Sequence, residues 1–396
     1  MELLSVNRLT RAALHHAVPL PREHRPKPRR TKPGRVSKLF TGMMRMVGAA
    51  PPASVDISLS TVSLASSFDA YLYAGFAGSP AGMNVSLILD SGNTVLVVPR
   101  WEDIAAIPNW QAQYTILGQA TEPWGCPANV VQGPIQLLTD TGEPFVIEAC
   151  VFLACTADSA AGGGRTANFG AGCIEPWTAS GWNTPAGIPV TLKSPLAYAT
   201  GTPFAEFDYA TADEVFNAAN PQGVSEKSTL RLYGAAPNGY QFLQVVANCP
   251  WMALRPKLLK IASTATGWPA PGANAIAMVD SGGTSVYLSD PTGLVYGTIW
   301  PPAAANPPWT SGSVNCVSTS ANLQISLGDD RGASFTYTID EAALPASAQG
   351  LTLVMCQVNE FMRGQPGMNI GGLSVLAVQL MVDYSAARVG FRALGS

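Results

Sequence analysis

Past residue 50 the sequence has no histidine: all three, His15, His16 and His24, lie in the head of the chain. Chemistry confined to residues 51–396 therefore excludes a Ser-His-Asp triad, a Cys-His dyad and His-ligated zinc. Carboxylates, a few lysines, tyrosines and cysteines remain as acids, bases and nucleophiles. Charge is also scarce, at 12% of residues, about half the usual share. That excludes a disordered chain, a coiled coil and a typical nucleic-acid binder. No apolar stretch reaches membrane-spanning length. Residues 1–20 lack the uninterrupted apolar core of a signal peptide, and Arg29-Arg30 is followed by Thr31-Lys32-Pro33-Gly34 rather than an apolar run. The seven cysteines form no Cys-x-x-Cys pair, which argues against a zinc ribbon or a thioredoxin-type site. They are either buried free thiols or disulfides of a secreted or otherwise oxidising setting.

What is present is apolar and rich in turn formers: 47% hydrophobic residues, 38 Gly and 32 Pro in 396 residues. The length suffices for two cores. Short β-branched runs broken by Gly, Pro, Asn and Ser predict a mostly β body. Val85–Leu89, Pro144–Ile147 and Leu351–Met355 are examples; Phe204–Ala219 is the best helix candidate. Charge is unevenly spread. Residues 1–50 hold eleven Lys or Arg against Glu2 and Glu23, a balance of +9, whereas the rest holds twelve against twenty-four, a balance of -12. The Pro- and Arg-rich stretch 19–35 cannot bury a core. The expected layout is a basic head over 1–50, one lobe over 51–240 and a second over 241–396.

An internal repeat is the most informative feature. Leu87-Ile88-Leu89-Asp90-Ser91-Gly92-Asn93-Thr94-Val95 matches Ala277-Met278-Val279-Asp280-Ser281-Gly282-Gly283-Thr284-Ser285. Each copy is an apolar strand, an Asp-Ser-Gly turn and a second apolar strand. Asn168-Phe169-Gly170 and Asn369-Ile370-Gly371 follow their aspartates at similar distances. Two such elements related by a pseudo-twofold axis would bring Asp90 and Asp280 together. Two carboxylates that close share a proton. One then acts as base on a water while the other donates to a carbonyl oxygen, a hydrolysis that needs no histidine, metal or other cofactor.

These residues resemble the pepsin-like aspartic protease family over most of 65–396. Tyr71–Pro80 is similar to its entry strand and turn. Asp90-Ser91-Gly92 with Val98-Pro99, and Asp280-Ser281-Gly282, are similar to its two catalytic motifs; Val382-Asp383-Tyr384 through Gly390-Phe391 is similar to its C-terminal ending. The resemblance implies a bilobal fold with pseudo-twofold lobes and a central cleft, and a monomeric endopeptidase. It further implies catalytic Asp90 and Asp280, supported by Ser91, Gly92, Asn93, Ser281, Gly282, Gly283 and Thr284. Protein or peptide substrates at acid pH, a basic pro-segment over 1–50 and a Cys316–Cys356 disulfide are implied as well. Trp124, followed by Gly125, is the candidate flap aromatic. Asn93 and Gly283 stand where the family usually has a hydroxyl residue, and Gly372 where an acidic residue often follows. These departures leave a second expectation, a weakly active or inactive binding protein of the same fold.

Overall fold

The computed structural model describes residues 54–64, 67–79, 82, 84–122, 124–158, 164, 166–174, 192–209, 224–225, 228–249, 251–261, 264–266, 275–283, 286–289, 316–319, 322–340, 342, 353–356, 367–372 and 377–394. The expectations for the basic head and for Thr284 lie outside these residues.

The protein is mostly β. Its first strands are β1 (Ser54–Leu64), β2 (Ser67–Gly75), β3 (Val85–Asp90), β4 (Leu96–Val98), β5 (Thr115–Thr121), β6 (Pro127–Leu138), β7 (Pro144–Cys155) and β8 (Asn168–Gly170). Then come β9 (Phe204–Asp208), β10 (Val224–Ser225), β11 (Thr229–Tyr233) and β12 (Gln241–Gln244). The second half holds β13 (Ala253–Ile261), β14 (Thr264–Thr266), β15 (Ile276–Val279), β16 (Val286–Ser289), β17 (Cys316–Thr319), β18 (Leu323–Gly328) and β19 (Ser334–Ile339). It closes with β20 (Leu353–Cys356), β21 (Gly367–Ile370), β22 (Val378–Asp383) and β23 (Arg388–Ala393). One short helix, α1 (Trp101–Ala105), follows β4.

Two sheets result. The larger runs β12-β23-β22-β9-β11-β1-β2-β3-β8-β4-β7-β6-β5, and the smaller runs β17-β20-β16-β21-β15-β13-β18-β19. Within each lies the same four-strand unit. β8 is parallel to β3 and antiparallel to β4, and β4 is parallel to β7. Likewise β21 is parallel to β15 and antiparallel to β16, and β16 is parallel to β20. In both units a later strand is threaded between two consecutive ones. The turn joining those two must therefore cross the end of the inserted strand, and that turn is Asp-Ser-Gly each time.

Burial explains why the strands hold. Val85, Leu87 and Leu89 alternate onto one face of β3 and are buried, while Ser86 is exposed. Leu87, Leu89, Leu96 and Phe169 belong to one apolar cluster with Val279, Leu288 and Ile370 from the smaller sheet. Each such side chain contributes about 1.5–3 kcal/mol on leaving water.

The helix expected from Phe204 is corrected at its start: Phe204–Asp208 is strand β9, paired with β11 on one side and β22 on the other. The rest of that expected helix lies outside the described residues beyond 209. The last two strands also join the larger sheet, because β22 pairs with β9 and β23 with β12. Cys126, Cys150, Cys155, Cys173 and Cys249 are buried thiols outside any disulfide. Cys316 and Cys356 are direct partners in the antiparallel register of β17 and β20, a backbone spacing within the range that a disulfide requires. No helix among the described residues is long and apolar enough to cross a membrane.

Candidate active site

Asp90 is the last residue of β3 and Asp280 directly follows β15. The serines after them form a reciprocal clasp. The Ser91 N–H donates to Ser281 Oγ and the Ser281 N–H to Ser91 Oγ, each at 2.9 Å. Each hydroxyl then donates across the interface to a backbone carbonyl of the other half: Ser91 to Val279 at 3.0 Å and Ser281 to Leu89 at 2.9 Å. Both serines are fully buried. These four bonds join segments some 190 residues apart and fix the two turns face to face.

Each carboxylate packs against the glycine of the opposite turn. A Cβ on Gly92 would lie 2.6 Å from Asp280 Cγ, and one on Gly282 would lie 2.6 Å from Asp90 Cγ. Only glycine permits that approach. The same glycines donate their N–H groups to the inner oxygen of their own aspartate, at 2.9 Å to Asp90 Oδ1 and 3.0 Å to Asp280 Oδ1. The outer oxygens are held by amides: Asn168 Nδ2 donates to Asp90 Oδ2 at 2.7 Å, and Asn369 Nδ2 to Asp280 Oδ2 at 2.6 Å.

The register explains those amides. Asn168 pairs with Ile88 on one side and Val97 on the other, so it lies beneath the turn that crosses β8. Asn369 occupies the same place between Met278 and Tyr287. The two asparagines follow their aspartates by 78 and 89 residues. Their parallel placement was visible in the sequence as a repeated Asn-x-Gly, but its role was not, because the polarity of a strand residue does not tell which turn passes over it.

Asp90 is buried and Asp280 half-buried. Burial, and next the facing Asp90 charge, hold the Asp280 carboxyl well above the ordinary carboxylate range. The hydrogen bonds from Asn369 and Gly282 work against that rise. Tyr209, just past β9, lies near Ser281 and Asp90, and burial raises its phenol.

Ser91, Gly92, Asn93, Ser281, Gly282 and Gly283 are thus gathered around the two carboxyl groups. Gly172 and Gly372 donate their N–H groups to the carbonyls of Asn93 and Gly283, at 2.8 and 2.6 Å, so these two positions correspond. Trp124 lies in the turn of the β5–β6 hairpin. It is half-buried against a cluster that includes Val95, Val97 and Leu192, and its N–H donates to Glu122 Oε2 at 2.8 Å. Among the described residues no three His, Cys, Asp or Glu side chains converge as metal ligands would. No model of a known protein family matches the chain, and no curated protein matches it.

Proposed function

We propose that the protein is an aspartic endopeptidase in which Asp90 and Asp280 share one proton and activate a water molecule. The observation that carries this reading is the reciprocal arrangement of the two carboxyl groups, each seated on the glycine of the opposite turn. A structural Asp-Ser-Gly turn has no need of a second copy facing it, and seating two carboxyl groups together is costly, a cost characteristic of functional sites.

In the proposed reaction the ionised carboxyl takes a proton from water, and the hydroxide adds to the peptide carbonyl carbon. The protonated carboxyl gives its proton to the carbonyl oxygen. Collapse of the tetrahedral diol returns one hydroxyl proton to the carboxylate that had protonated the carbonyl oxygen and breaks the C–N bond; the amine leaves with the proton first taken from water, so the pair again shares one proton. The two matched strand units, one in each sheet, support a two-lobed, pepsin-like architecture with the pair at the lobe interface.

The test is hydrolysis of an unfolded protein at acid pH, with and without a statine-type inhibitor. Asp90→Asn and Asp280→Asn are each expected to abolish turnover while leaving the fold intact. Substantial activity in either variant overturns the dyad. An inert wild-type protein that still binds the inhibitor would instead support the binding-protein reading, to which Gly283 lends weight.

A further inference from the structure

Hydrogen-bond polarity differs between the two halves of the site. On the first half the chain of bonds starts from a fixed point, the backbone of Val95. Asn93 accepts from the Val95 N–H at Oδ1 and donates from Nδ2 to the Val95 carbonyl, both at 3.1 Å. A backbone N–H cannot reverse, so the Asn93 amide has one orientation. Its Nδ2 also donates to Asn168 Oδ1 at 2.8 Å. That leaves Asn168 only its Nδ2 to present to Asp90 Oδ2. Turning Asn168 over would set one amide N–H group against another.

The second half lacks that chain. Gly283 occupies the position of Asn93 and brings no side chain. Asn369 is 2% exposed, yet among the described residues its Oδ1 has no hydrogen-bond partner. A buried orphan acceptor costs free energy, and among the described residues no polar partner fixes the sense of this amide. Turned over, Asn369 would accept a hydrogen bond from Asp280 Oδ2 instead of donating one, and 2.6 Å lies within the O–H···O range and just below that of a charge-assisted N–H···O bond.

We propose that Asn168 and Asn369 are positioning residues with unequal tasks: Asn93 locks Asn168 as a donor to an ionised Asp90, whereas Gly283 leaves Asn369 free to accept from a neutral Asp280. The inference rests on the dyad reading. It makes Asp90 the base toward water and Asp280 the acid toward the carbonyl oxygen. Among the described residues the titratable group facing Asp280 is Asp90, and Tyr209 lies near Ser281 and Asp90. Among the described residues no lysine or arginine forms an ion pair with either carboxyl.

The experiment follows the carboxyl carbons themselves, so it does not depend on turnover. Protein labelled with ¹³C at the Asp carboxyls is titrated by NMR, with the two resonances assigned from Asp90→Asn and Asp280→Asn. In the wild type the Asp280 resonance is expected to follow the upper midpoint of the pair. In Gly283→Ser the new hydroxyl reaches Asp280 Oδ2 and Asn369 Oδ1, since a Cβ there would lie 3.2 and 3.7 Å from them. It favours the charged carboxylate, and the upper midpoint should fall by about one pH unit. In Asn93→Gly the lower midpoint should rise, because Asn168 is released. A wild-type Asp90 resonance that follows the upper midpoint overturns the proposal. So does a pair of folded variants whose midpoints stay at the wild-type values, which would leave the asparagines as packing residues only. If Gly283→Ser fails to fold, the wild-type assignment and Asn93→Gly decide. Loss of proteolysis with these shifts intact would count against the endopeptidase reading and not against the relay.

Discussion

At the scale of the residue, the carboxyl pair makes a prediction about stability that is separate from activity. Asp280 is held protonated in the folded state to a higher pH than in the unfolded chain, where its value is near 3.8. Above that value the native state binds more protons than the unfolded state, so the slope of stability against pH is negative. The contribution is fully present below the unfolded value and is lost as pH rises through the raised folded one. The melting temperature of the wild type should therefore fall relative to that of Asp280→Asn as pH is raised from about 4 toward neutrality. The readout is the difference between the two curves, because every ionising group outside the coupled pair is common to both. A difference independent of pH would mean that Asp280 is not held neutral. The two aspartates, two serines and two glycines of this site were legible in the sequence because the turn is short and repeats almost letter for letter. Asn168 and Asn369 were visible only as a second repeat. Their bonds to the aspartates depend on β8 and β21 being threaded under the turns, which a linear pattern does not record.

At the scale of the element, the β5–β6 hairpin depends on one buried carboxylate. Glu122 is 2% exposed. It accepts from the Trp124 N–H at 2.8 Å, the Cys126 N–H at 2.7 Å and the Thr166 hydroxyl at 3.2 Å. Its own N–H donates to the Cys126 carbonyl at 2.9 Å, so the turn carrying Trp124 closes on itself. Replacing Glu122 by Ala strands buried backbone donors and should lower the unfolding free energy by about 1–3 kcal/mol. Gln retains an acceptor and should lose less. Denaturant unfolding of the two variants checks this, and equal losses would show that the side chain acts by volume alone. Strand β9 shows the opposite lesson, an element that the sequence misrepresents. Glu206 interrupts the apolar run of Phe204, Ala205 and Phe207, which reads as the polar side of a helix. In the sheet Glu206 is buried between β11 and β22, with Tyr233, Tyr240 and Arg392 as partners. A buried charge with such partners breaks the rule that polar positions face water, and the period-based reading fails there. Val85–Leu89 obeys the rule, with Ser86 facing outward, and both it and Pro144–Ile147 fall in strands as expected.

At the scale of the whole molecule, alternation along a strand specifies a face but not a partner. The return of β22 and β23 to the larger sheet was therefore not readable in advance. Charge, in contrast, is fully legible, and it supports the last prediction. The head carries +9 and the rest of the chain -12. Between pH 5 and 8 most carboxylates are ionised, so the head should be drawn to the body, including the Asp90–Asp280 pair with its one shared proton. A Lys or Arg laid against Asp90 and Asp280 would exclude water and keep the protein latent. Acidification protonates carboxylates while Lys and Arg stay charged, so the attraction should weaken and release the head for cleavage. The cut should fall between Lys38 and Ala53, because from Ser54 onward the backbone is paired into β1 with β11. Intact-mass measurement after incubation at about pH 4 is expected to show a chain shortened at its N-terminus. Asp90→Asn should stay full length under the same conditions, which separates self-cleavage from a contaminating protease. Raising the salt to about 0.5 M at neutral pH should also relieve part of the latency, since it screens attraction over more than a few ångströms. A full-length wild-type chain that cleaves substrate at neutral pH as fast as the shortened form would rule out an inhibitory head.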